Sequence, residues 1–304
     1  MADKPKKPHA IVIPYPLQGH VIPTVHLALK LASQGFTITF INTASIDHQI
    51  SKAQHKTDVD VIQRSTSAHI EEVVAQIVAS GEDVHCLIAD NFFVWPSKIA
   101  KKFGLVHVSF WTEPALVFTL YYHLDLLRLN GHFACPVQEL EPDTISALQT
   151  KIPYYAIGPI FPNDFSKTIA ATPVARVTMH PVARQKAHGS VLYVSFGSYA
   201  HVTRSDLEQI ANGLSFSQVS FVMVLRPDVV VSSDDADPLP VGFQEEVADR
   251  AIIVPWCSQR EVLAHPAIGG LLAHCGWNSI LESVWCQVPL LCFPLYTDQF
   301  TNRK

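Results

Sequence analysis

Two hydrophobic periods alternate along the first half of the chain. Short runs of adjacent apolar residues fall at 10–14, 36–42, 84–89 and 105–110, and segments of helical period lie between them at 21–33, 70–79, 96–103 and about 114–129. Gly35 and Gly104 stand where two of those helices should stop. Strands that are apolar on both faces belong to parallel sheets covered by helices on either side. The pattern fades between 159 and 188 into Pro, Thr, Ala and Arg without period. It then restarts with a strand at 190–196, a helix from about 204 to 214, and a strand at 219–225. An acidic loop at 232–240 and a short strand at 252–254 follow. The pattern predicts two Rossmann-like α/β domains, 1–158 and 189–304, joined by a linker over 159–188. No repeat of solenoid length is visible.

Composition supports two buried sheets: 48% of the 304 residues are apolar and 16% are charged. A net charge of −5 gives no electrostatic ground for a nucleic-acid partner. The basic cluster Lys4, Lys6 and Lys7 reads as a solvated tail. Cysteines at 86, 135, 257, 275, 286 and 292 match no metal-binding spacing and read as reduced thiols. The apolar run Ala10–Ile13 is too short for a signal peptide, and no window of 18 apolar residues exists. The expectation is a cytoplasmic protein without a membrane span.

The densest chemistry lies between 256 and 299. A strand at 268–274 ends in HCGWNS, where a helix opens, and a strand at 288–294 ends just before Thr297, Asp298 and Gln299. Polar groups at the carboxyl ends of parallel strands converge on one crevice. A helix opening at Ser279 presents unpaired N–H groups and the positive end of its dipole. Gly276 permits close backbone approach, so Asn278, Ser279 and their amides can cradle a diphosphate beside His274. A competing reading makes Ser279 and Glu282 a capping box. His274, Trp277 and Asn278 crowded into the same turn exceed what a cap needs. Trp256 is either a core side chain or an aromatic plate for a base, with Gln259 three residues on and Glu282 placed to accept from a ribose.

A second constellation lies in the first half. His20 stands between the first strand and its helix in PYPLQGHVIP, and Asp90 ends the strand CLIAD. Neighbouring strand ends can bring such residues together, and a carboxylate that orients an imidazole makes a general base. Phe92, Phe93, Trp95 and Trp111 either line an apolar cleft or fill the core. Two D-x-D triplets, Asp58–Asp60 and Asp235–Asp237, lie in polar loop contexts and read as solvated. No G-x-G-x-x-G follows a strand, which disfavours a nicotinamide-dependent oxidoreductase.

The 44 residues from Trp256 to Gln299 resemble the C-terminal signature box of plant family 1 UDP-dependent glycosyltransferases. The resemblance implies a GT-B fold: two facing Rossmann-like domains with mostly parallel sheets, the second incomplete at its C-terminus. It also implies that Trp256 stacks on uracil, that Gln259 and Glu282 bind the ribose, and that Asp298 and Gln299 hold the sugar. His274, Asn278 and Ser279, in the turn with Gly276 and Trp277, would hold the diphosphate together with Ser198 of SFGS. His20 matches the family's base and Asp90 its partner. The implied reaction is inverting transfer of glucose from UDP-glucose to a hydroxyl of a small lipophilic acceptor, without metal or other cofactor.

The chain departs from the family in several places. It ends five residues after the box, where the family continues, and it is shorter around 132–136 and 59–69. Gln287 replaces a usual Gly, and a positive φ there would strain it by roughly 1–2 kcal/mol. These departures open an alternative: a truncated, non-catalytic homologue that at most binds UDP-sugar or a partner.

Overall fold

The computed structural model describes residues 7–42, 60–63, 67–122, 142–153, 155, 157, 160–161, 186–230 and 238–303. The chain divides into two units, one comprising Met1–Thr112 with Ile157–Pro162, the other Glu113–Ala156 with Asn163–Lys304. The sequence pattern puts the boundary at 158 instead. Helices α4 (Ala115–Tyr122) and α5 (Pro142–Gln149) pack on each other and fall together in the second unit. Residues 162–185 of the expected linker lie outside the described residues.

The first unit is built on β1 (His9–Ile13), β2 (Thr37–Asn42), β3 (Asp60–Gln63), β4 (Val84–Asp90) and β5 (Val106–Phe110). All its pairs are parallel, in the order β3-β2-β1-β4-β5. Strand β1 is buried at every position and feeds both faces of the sheet in alternation. Ile11 and Ile13 pack with Ile70, Val73, Val74 and Ile77 of α2 (Ser67–Ala79), and with Ile99 and Ala100 of α3 (Pro96–Phe103). Ala10 and Val12 pack on the other face with Leu27 and Ala28 of α1 (Gln18–Ser33). Two covered faces explain why these strands carry no polar alternation. The helix α3 stops as expected at Gly104, whose φ of 69° suits glycine.

The second unit repeats the plan with β6 (Val191–Ser195), β7 (Ser220–Val224), β8 (Ala251–Val254), β9 (Ile268–Ala273) and β10 (Leu290–Cys292). Its parallel order is β10-β9-β6-β7-β8. The helices are α6 (Arg204–Ser217), α7 (Phe243–Glu246), α8 (Gln259–Leu263), α9 (Trp277–Trp285) and α10 (Gln299–Asn302). Renumbered from its first strand, this sheet has the same order as the first, the doubly wound 3-2-1-4-5 arrangement. Each sheet therefore has a switch point, between β1 and β4 in one and between β6 and β9 in the other. Ligands of such sheets bind at the carboxyl ends of the strands beside that point.

Five elements were not predicted: β3, α5 and the short helices α7, α8 and α10. Strand β3 is four residues long, and α5 opens at Pro142 in a stretch too short for the helical period to show. The aspartates 58, 235 and 237 lie outside the described residues, while Asp60 begins β3. Among the described residues no helix is long and apolar enough to cross a membrane.

Candidate functional site

At the first switch point, the structure brings His20 and Asp90 together. The Nδ1 of His20 lies 2.8 Å from Oδ2 of Asp90, and both residues are buried. The Oγ1 of Thr112 lies 2.9 Å from the same ring nitrogen. The backbone N–H of Phe92 donates to Asp90 Oδ1 at 2.9 Å, which leaves the carboxylate little freedom to rotate. His20 is not in a loop, as the sequence suggested, but in the first turn of α1, whose N-cap is Leu17. That turn reads QGH, so the apolar period that marks the helix begins only at Val21. Pro23 removes one helix N–H in the next turn, and Thr24 Oγ1 donates to the His20 carbonyl at 2.7 Å.

Aromatic rings surround this pair. The ring of Phe92 lies 4.7 Å from that of His20 and is 40% exposed. Tyr15 lies 5.4 Å from both His20 and Phe92, and Trp111 lies 6.0 Å from Phe92. Phe93 and Trp95 instead pack against the α2–α3 core. Of the four aromatics, Phe92 meets the His20 ring and Trp111 meets Phe92, whereas Phe93 and Trp95 are partly buried against the core, Phe93 also lying 5.3 Å from Tyr15. Thr112 and Tyr15 were missed, since neither has a motif of its own.

At the second switch point, His274, just beyond β9, lies against the loop that follows β6. Its ring is flanked by two glycines. A Cβ on Gly197 would come within 2.5 Å of Cε1 and one on Gly276 within 2.5 Å of Nε2. The close approach expected of Gly276 is thus made to the His274 ring. Burial pushes the His274 imidazole down to about 4, the Arg226 charge acts in the same direction, and the Ser195 carbonyl opposes it. Its Nδ1 is buried and makes no hydrogen bond among the described residues.

The helix after HCGWNS begins at Trp277 with Gly276 as N-cap, two residues earlier than expected, and has no side-chain cap. The capping-box reading therefore fails. Ser279 is the third helical residue, and its Oγ accepts from Gln259 Nε2 at 2.9 Å. The same Nε2 donates to Glu282 Oε2 at 2.8 Å. The first turn of α8 is thereby tied to α9 through three of the candidate residues. Burial pushes the Glu282 carboxyl up, while the Gln259 amide and Arg260 pull it down. Trp256 is 50% exposed, so the core reading of this residue is also set aside.

Beyond β10, the buried Gln299 accepts from the backbone N–H groups of Leu295 and Tyr296 through Oε1, at 2.9 and 3.2 Å. Asn302 Nδ2 joins the two strand ends, donating to Asp298 Oδ2 at 2.6 Å and to the Cys275 carbonyl at 3.0 Å. The sequence offered no signal for Asn302, which lies after the box. Three non-glycine residues in the segment have positive φ: Cys275 at 64°, Gln287 at 57° and Thr297 at 54°. A β-branched residue in that region is an outlier, and such strain gathers at ligand sites. Among the described residues no group of three or more His, Cys, Asp or Glu side chains could hold a metal ion.

Two doubly wound sheets, each with buried polar groups at its switch point, define an α/β protein of the class whose ligands bind at the carboxyl ends of the strands. Residues 148–304 match the family model for UDP-glucoronosyl and UDP-glucosyl transferases. UDP-glycosyltransferase 86A2 of Arabidopsis thaliana is 44% identical over 97% of this chain and 80% of its own length. The 7-deoxyloganetin glucosyltransferase of Gardenia jasminoides is 29% identical over 98% of this chain and 83% of its own. A solved UDP-glucosyltransferase from Polygonum tinctorium, capable of glucosylating indoxyl, is 26% identical with a TM-score of 0.78, covering 98% of this chain and 82% of that one. The chain belongs to the UDP-glycosyltransferase family and has the GT-B fold of its solved members. Its match to the Arabidopsis relative extends over 386 residues although the chain has 304, so that relative carries internal stretches with no counterpart here.

Proposed function

We propose that the protein transfers glucose from UDP-glucose to a hydroxyl of a small lipophilic acceptor, with inversion at the anomeric carbon. The observation that carries this reading is the buried His20–Asp90 contact of 2.8 Å. A carboxylate only accepts, so the ring proton sits on Nδ1 and Nε2 keeps the basic lone pair. Nε2 takes the acceptor's proton as its oxygen attacks the anomeric carbon. The bond to the diphosphate breaks, and UDP leaves with the electron pair. Asp90 holds the tautomer and stabilises the imidazolium that forms.

The donor is held by residues of the second unit. Trp256 stacks on uracil, and Gln259 and Glu282 bind the ribose. His274, Asn278, Ser279 and Ser198 hold the diphosphate, with Gly276 and Trp277 shaping the turn, while Asp298 and Gln299 hold the sugar. The uncapped N-terminus of α9 and the buried, unbonded His274 Nδ1 support the diphosphate assignment. No metal or further cofactor enters this scheme. The names of the Gardenia and Polygonum relatives support glucose as the sugar, and the latter's complex with 3,4-dichloroaniline supports a small acceptor.

A second reading, a non-catalytic homologue that binds UDP-sugar, is favoured by the missing internal stretches and by Val106 and Val108 of β5, which are 64% and 41% exposed. Incubation with UDP-glucose and a pool of hydroxylated acceptors separates the two. Acceptor-dependent UDP release with a hexose adduct, reduced by roughly 10²–10⁴ in His20→Ala and Asp90→Asn, supports the enzyme. Tight UDP binding without any adduct supports the second reading.

A further inference from the structure

The diphosphate assignment leaves a question of charge. A leaving UDP carries concentrated negative charge, yet His274 is neutral near pH 7. The described residues hold one deeply buried cation beside this site. Arg226 lies just beyond β7, 5% exposed, and reaches back under the loop that follows β6. Its Nη1 donates to the Ser198 carbonyl at 2.6 Å and its Nη2 to the Ala200 carbonyl. Its acidic neighbour Asp228 lies 3.4 Å away and is 66% exposed, so solvent screens much of that pairing.

A guanidinium in this position is a poor device for stability alone. Desolvating an ion costs several kcal/mol, and carbonyl dipoles return only part of it. What the arrangement does provide is a fixed positive field and a fixed loop. Binding the carbonyls of Ser198 and Ala200 sets the orientation of their peptide units, and Gly197 between β6 and this clamp contacts the His274 ring. The field of Arg226 is felt at His274 and at Tyr296, which border the proposed phosphate and sugar positions.

We propose that Arg226 is the built-in counter-charge of the donor's diphosphate. It acts as a positioning residue that fixes the Ser198 loop and lends it positive potential without touching the donor. The proposal rests on the donor assignment above. Its signature is electrostatic, so its effect must scale with the number of phosphates on the ligand. A merely structural arginine would affect all uridine ligands alike.

The test is calorimetric titration of the full chain with uridine, UMP and UDP, using wild type, Arg226→Gln and Arg226→Lys, with thermal melts on each. We expect Arg226→Gln to lose about 10–100-fold in UDP affinity, less for UMP, and under about threefold for uridine. Arg226→Lys keeps the charge and holds the UDP-to-uridine affinity ratio within about threefold of wild type. Equal losses for all three ligands in Arg226→Gln would overturn the proposal. Should that variant give no cooperative melt, Arg226→Lys decides, and a ratio more than about tenfold below wild type overturns the idea. Wild type that fails to bind UDP refutes the donor assignment itself, an outcome distinct from either.

Discussion

Gln287 closes the helix that carries Asn278 and Ser279 of the proposed diphosphate site, and it does so in a conformation glycine would favour. Its N–H bonds the Val284 carbonyl at 3.1 Å, and the next N–H, of Val288, bonds the Ser283 carbonyl at 2.9 Å. These are the two hydrogen bonds of a Schellman ending, and Gln287, with φ of 57°, occupies its left-handed position. A side chain there costs roughly 1–2 kcal/mol relative to glycine's freedom. Glycine's larger unfolded-state entropy takes back about 0.5–1 kcal/mol. The side chain is exposed, so its removal loses no packing. Gln287→Gly should therefore stabilise the second unit by about 0.5–1 kcal/mol, raising Tm by about 1–3 °C in a scanning melt. Gln287→Ala keeps the strain and should stay near wild type, with Gln287→Asn between the two. A glycine variant no more stable than the alanine variant would refute the reasoning, because backbone strain would then contribute nothing.

Further outcomes follow from single contacts. Thr112→Val should lower kcat about 3–10-fold with little change in KM, and Thr112→Ser should restore it, since only the hydroxyl meets His20 Nδ1. The His274 imidazole is held near 4 when folded against an ordinary 6.5, so the unfolded chain takes up the proton first as pH falls. Stability should drop between pH 6.5 and about 4 by up to about 1.4 kcal/mol per pH unit from this group, and denaturant titrations of His274→Gln should show a flatter profile there. Gln259→Leu leaves the Glu282 carboxylate without its amide donor, should cost about 1–3 kcal/mol of stability, and should push that carboxyl further up. The group's stability contribution is present at low pH and lost as pH rises through its raised pKa, so the variant should lose more stability than wild type on going from acid to neutral pH.

The sheet strands and the helices that face them were readable because burial on both faces leaves uninterrupted apolar runs. The approximate places of His20 and Asp90 followed, since each stands at a strand's end. What failed were boundaries set by polar residues. The first turn of α1 is QGH, and the first turn of α9 starts at Trp277 behind an uncapped glycine, so neither announces a helix start. Side-chain partnerships across the fold were equally invisible. Nothing in sequence pairs Thr112 with His20, Asn302 with Cys275, or Arg226 with the carbonyl of Ser198, because each bond joins residues brought together by strand order alone. The segment's strained positions show the reverse case. Gln287 was legible because a resemblance marked it as out of place, whereas Thr297 and Cys275 carry positive φ without any compositional sign.

The chain's shortness relative to its family bears unequally on the two sheets' strands. Trp256 and Gln259 follow the edge strand β8, and Asp298 and Gln299 the edge strand β10. The proposed His20–Asp90 pair, His274 and the diphosphate groups stand instead at the carboxyl ends of β1, β4, β6 and β9, which are central or next to central in their sheets. Their registers, Ile13 opposite Ala89 and Ser195 opposite Ala273, hold each pair of ends level. The stretches that the sequence resemblance marks as shortened lie near 59–69 and 132–136, next to β3 and beyond α4 in the chain. The edge strand β5 is exposed at its first four positions, so the first sheet loses cover at its margin rather than at its switch point. Protection should follow the same gradient. Native-state hydrogen exchange should find the amides of β1 and β4 opening only near the global free energy, with those of β5 opening several kcal/mol below it. Uniform protection across the sheet would show that β5 is stabilised by something its exposure does not reveal. Fast exchange in β1 and β4 would show that the His20–Asp90 pair has no rigid frame, and catalysis by this chain would lose its structural basis.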